Sequence, residues 1–125
     1  MQVSPEEFDR LAEEAFSAIP APIRECLYNV ELDVRAHPGP EAGRLRGTRG
    51  LLGLHIGPSR AELLAAGDSP PQMPARILLY HRNIEADCPD LPELRRQIRL
   101  TLLHEIAHHF GIDDKELREQ WPEGA

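Results

Sequence analysis

The chain is 125 residues long, enough for one small domain and too short for two. Fourteen Lys and Arg against 21 Asp and Glu leave a net charge of −7, which argues against a nucleic-acid partner, since gripping a phosphate backbone needs clustered cations. No apolar run approaches the ~20 residues of a membrane span, and the acidic N-terminus MQVSPEEFDR has no secretory apolar region, so a cytoplasmic protein with no membrane partner is expected.

Ser4-Pro5-Glu6-Glu7 opens a helix, with Ser as cap, Pro at the first position and Glu three residues after the cap. Phe8, Leu11, Ala12, Ala15, Phe16 and Ile19 follow as one apolar stripe, which Pro20 and Pro22 end. A helical turn is expected around Ile23–Leu27. Val30–Arg35 alternates with period two and predicts a half-buried strand.

Thirteen of the 21 Gly and Pro residues lie between Pro38 and Pro74, which predicts mostly loop there. Within it, Leu51–Ile56 reads as a short strand and Ser59–Ala66 as a turn or two of helix. Ile77–Tyr80 reads as a buried strand. Asp90-Leu91-Pro92-Glu93 starts a second long helix, which should reach Phe110 and stop at Gly111, a residue suited to the left-handed position that ends helices. Its first half is charged, with Arg95, Arg96 and Arg99 on a solvated face beside Glu93. Its second half is apolar on most sides, so the helix should run into the core. Lys115–Trp121 predicts one more short helix.

That buried half contains His104-Glu105-Ile106-Ala107-His108. Residues four apart lie one turn above each other, so the two imidazoles can reach one zinc ion. Glu105 is turned to the flank, where it can take the proton of a metal-activated water as general base. The pattern extends to Gly111 and Asp114, as H-E-x-x-H-x-x-G-x-x-D, which this composition gives by chance about once in 10⁴ chains. A catalytic zinc needs three protein ligands and an open position. The third is assigned to Asp114, with Asp113 and then Glu116 behind it. His109 points about 100° away from His108 and reads as a surface residue or a support for the ligands. Cys26 and Cys88 form no metal-binding spacing, and Cys88 reads as a small core residue.

The segments RILLYHRNIEADC and RRQIRLTLLHEIAHHFGIDDKEL, with the N-terminal helix and GLLGLHIG, resemble the zincin-like minimal metallopeptidase family of small bacterial proteins. The resemblance implies a compact α+β zincin-like core, with a small mixed sheet packed against the N-terminal helix and the metal-binding helix, in one domain spanning residues 1–125. It implies one zinc ion per chain on His104, His108 and Asp114, with Glu105 catalytic. It also implies a peptide or unfolded-protein substrate, with Leu51–Ile56 as the edge strand that pairs with it and Ile77–Tyr80 as the inner neighbour. The oxyanion donor stays open among His55, Tyr80, His81 and Arg82, and Tyr80 also reads as core. A metal-binding adaptor with negligible turnover is the alternative function.

Overall fold

A computed structural model describes residues 1–45, 50–66, 74–112 and 115. The first helix, α1 (Pro5–Ser17), starts as predicted, with the Ser4 hydroxyl accepting from the Glu7 N–H at 3.1 Å. A single turn, α2 (Ala21–Arg24), leads into strand β1 (Val30–Arg35). The Gly- and Pro-rich stretch then forms a 3-10 helix at Pro40–Leu45, kinked at Gly43, where the sequence predicts loop. Strand β2 (Gly53–Ile56), helix α3 (Arg60–Ala66), strand β3 (Ala75–Tyr80) and helix α4 (His81–Glu85) follow. The long helix α5 (Leu91–His109) is capped by the Asp90 side chain, which accepts from the Glu93 N–H at 2.9 Å.

The sheet has the order β1-β3-β2. β1 runs parallel to β3 and β2 antiparallel to it, so the small sheet is mixed. β3 is the inner strand, and Ile77 to Tyr80 along it are fully buried. That explains why its sequence is a continuous apolar run, while half-buried β1 alternates. β2 lies at an edge, beside the strand expected to be its inner neighbour.

Helices cover one face of the sheet. Phe8, Leu11 and Ala12 of α1 pack with Leu79, Ile84, Cys88, Leu94 and Ile98 in one core cluster. Ile77 joins Ile19, Leu27, Leu102 and Ile106 in a second. α5 contributes to both clusters and thus ties the two together. Cys88 is buried in the first, as its reading as a core residue requires.

At its far end α5 closes as Gly111 predicts. Gly111 takes a φ of +82°, its N–H donates to the His108 carbonyl at 2.9 Å, and the Ile112 N–H reaches back to the Ala107 carbonyl at 3.0 Å. This pair of bonds satisfies carbonyls that a helix end otherwise leaves bare. The helix expected at Lys115–Trp121 lies outside the described residues except for Lys115.

Candidate metal centre

The sheet register fixes what faces the buried half of α5. Cross-strand partners share a face, so Gly53 opposite Leu79, and His55 opposite Ile77, point with those two side chains toward the helices. Gly53 sits very close to α5. A Cβ there would lie 2.9 Å from the Thr101 methyl carbon, 3.2 Å from Glu105 Cγ and 2.9 Å from the Leu78 carbonyl oxygen. Only a residue without a side chain lets the edge strand approach the helix this closely. The Asn83 amide donates to the Leu51 carbonyl at 2.9 Å and pins the entry to β2.

On α5, His104 and His108 are half-buried and meet edge to face with ring centroids 4.5 Å apart. Glu105 is buried between this pair and the edge strand, with Oε1 3.0 Å from His108 Nδ1. One donor atom from each of His104, Glu105 and His108 falls within 4.8 Å of the others. Two imidazole nitrogens and a carboxylate oxygen so gathered fit a divalent ion of the zinc type. The sequence places Glu105 off the ligand line; in the fold its carboxylate already touches one of the two imidazoles. Asp114, Asp113 and Glu116 lie outside the described residues.

The four residues considered for the oxyanion have separate fates. His81 is buried, stacked on Phe8 with centroids 4.3 Å apart, and its Nε2 lies 2.9 Å from Glu85 Oε2. Arg82 donates to Glu85 Oε1 at 2.6 Å and to the Val3 carbonyl at 3.3 Å. Both therefore serve the packing of the N-terminal segment. Tyr80 is fully buried, and its hydroxyl donates to Glu41 at 3.4 Å. Burial, reinforced by the Glu41 carboxylate, pushes the phenol up to about 12, so it stays protonated.

His55 is the one of the four whose side chain, among the described residues, is hydrogen-bonded to α5, the helix that carries the centre. Its ring nitrogen Nε2 lies 2.9 Å from Nδ1 of His109. Burial is the main cause that lowers its pKa, against the opposing pull of the Glu105 carboxylate. His109, taken from sequence as a surface or supporting residue, is fully buried. Burial is the main cause that pushes it down to about 4, with its neighbours His55 and Arg60 acting in the same direction, so the ring is neutral at physiological pH. The signal for its position was present in sequence. Thr101, Glu105 and His109 recur at four-residue spacing, but as a polar stripe, which a search for apolar periodicity passes over.

The sequence profile of the zincin-like metallopeptidases matches residues 27–122. The chain belongs to this family. Among solved structures, it is similar to a conserved hypothetical protein of T. thermophilus, with 21% identity over 86% of this chain and 94% of that one, at a TM-score of 0.54. At that identity the likeness concerns the fold alone. No curated protein is significantly similar to the chain. The zincin-like core expected from the resemblance is thus the fold observed, and its helix α5 carries a possible metal site at His104, Glu105 and His108. Among the described residues, no helix is long and apolar enough to cross a membrane.

Proposed function

We propose that the protein is a zinc-dependent peptidase that hydrolyses extended segments of peptides or unfolded proteins laid along the free edge of β2. The observation that supports this best is the position of Glu105. Its buried carboxylate stands between the paired imidazoles on one side and Gly53 of the edge strand on the other. A peptide added to β2 by main-chain hydrogen bonds would therefore run past the base and the metal ligands together. His104, His108 and Asp114 hold the ion, and Gly111 provides the left-handed turn through which the chain leaves the helix toward Asp114. Zinc at this place supplies a Lewis acid that polarises a carbonyl and acidifies water. Glu105 accepts the proton of the attacking water and passes it to the leaving amine nitrogen. The protein works in the cytoplasm, as a single domain, without nucleic acid or membrane.

One observation favours a metal-binding adaptor instead: the Glu105 carboxylate is already engaged with His108 Nδ1. Hydrolysis of a quenched peptide library by the zinc-loaded protein separates the two readings. Glu105→Gln should keep zinc and fold while lowering hydrolysis by about 10²-fold or more, as loss of a general base does. Equal rates for the variant and the native protein, both unaffected by a chelator, would leave the adaptor.

A further inference from the structure

His109 is a polar ring at a fully buried position, where a Leu would fill similar space without the cost of burying unpaired nitrogen. Its Nε2 has no hydrogen-bond partner among the described residues, so its polar bonding goes through Nδ1 to His55. A ring proton on that Nε2 would be a buried donor with no acceptor among the described residues, so the proton belongs on His109 Nδ1, donating to His55 Nε2, and the His55 proton then sits on Nδ1.

The two residues are also spaced to match. From Gly53 to His55 the strand advances about 6.6 Å, and from Glu105 to His109 the helix advances about 6 Å. Gly53 sits on Thr101 and Glu105, and His55 sits on His109, so strand and helix run side by side in one direction with two contacts in step. The first contact is a close approach without polar bonding; it fixes how near the strand comes but not where it sits along the helix. A directional bond at the second contact fixes that.

We infer that His55 and His109 form a one-way hydrogen-bonded clasp that sets the register of the edge strand against α5, making both of them positioning residues for a peptide on β2. The clasp rests on the reading that β2 receives the substrate, since that is what gives its register a use. A strand displaced by an ångström would carry its peptide past Glu105 out of line, a misplacement that can cost about 10² in rate.

The test uses the full zinc-loaded chain with His109→Leu and His109→Asn. Asn places an amide N–H close to where Nδ1–H stands, so it should restore the bond that Leu removes. Hydrogen exchange should speed up about tenfold or more in His109→Leu at the β2 amides paired with β3, with β1 amides and bound zinc unchanged, and should return towards native values in His109→Asn. Peptide hydrolysis should follow the same order, with the larger loss in kcat. In the native protein, nitrogen NMR of the rings should find the His109 proton on Nδ1 and the His55 proton on Nδ1. A His109 proton on Nε2, native exchange rates in His109→Leu, or Asn no better than Leu would each overturn the clasp. Exchange and ring protonation need no turnover, and the native spectrum decides even if His109→Leu does not fold. A clasp that passes in a protein inert toward peptides would count against the peptidase reading alone.

Discussion

Glu85 shows how one buried carboxylate is kept charged. Burial by itself raises its pKa, but N–H donors from Arg82, the Val3 backbone and His81 outweigh it, and the group ends below its ordinary 4.5. The folded pKa is depressed, so the sign follows directly. Above 4.5 both states are ionised and the full stabilisation is present; as pH falls through the folded value, the unfolded chain has already taken its proton and the advantage is lost. Glu85→Gln should therefore destabilise the protein by about 1.5–3 kcal/mol near neutral pH, the usual worth of hydrogen bonds to a charged group. Urea unfolding at a series of pH values should show the gap between variant and native protein closing in acid. A gap independent of pH would mean that Glu85 is not held ionised. Glu85 was missed because the sequence reading expected no helix at α4, where His81 and Arg82 stand one turn before it, and because the Val3 N–H is brought to it only by the fold.

The elements differ in how openly the sequence announces them. α5 was legible from end to end, because its signals are local: an Asp cap with Glu three residues on, a charged first half, an apolar second half and a terminal Gly. That His104 and His108 come together was legible for the same reason, being two His at one-turn spacing within that helix. Leu51–Ile56 read as a short strand from its residues, but the edge position of β2 was reached only through the family resemblance, since the neighbours a strand pairs with are not a local property. The His55–His109 contact spans 54 residues and could not be read locally. Capping and surface charge on α5 also differ in weight. Asp90→Ala removes the bond to the Glu93 N–H and should cost about 1 kcal/mol, typical of a lost helix cap. The Arg95–Glu14 ion pair between α5 and α1 is half-exposed at 2.8 Å, and its removal should cost at most about 1 kcal/mol and nearer zero. Thermal unfolding of Asp90→Ala and Arg95→Ala checks the order, and a larger loss for Arg95→Ala would show that the interhelix pair outweighs the cap.

At the scale of the molecule, the candidate metal site and the core share one helix. α5 lends Leu94 and Ile98 to one core cluster and Leu102 and Ile106 to the other, while His104 and His108 leave it toward the half-exposed side. An ion that binds this arrangement, and not the unfolded chain, must stabilise the whole fold by mass action, by about 2.7 kcal/mol at a free concentration one hundred times its Kd. Zinc should thus raise Tm in a concentration-dependent way and a chelator should reverse the rise. The increment separates ligands from bystanders, because each variant serves as its own metal-free reference. His104→Ala and His108→Ala should unfold without any zinc-dependent rise. Asp114→Asn should shrink the rise strongly and Asp113→Asn should leave it nearly intact, since Asp114 is the proposed third ligand. His109→Asn should keep the native increment, because that ring is bonded to His55 and holds no metal. A full increment in Asp114→Asn, with loss in Asp113→Asn, would move the third ligand by one residue. A full increment in the double His variant would remove the metal from α5 altogether, and with it the reason for placing Glu105 at a catalytic centre.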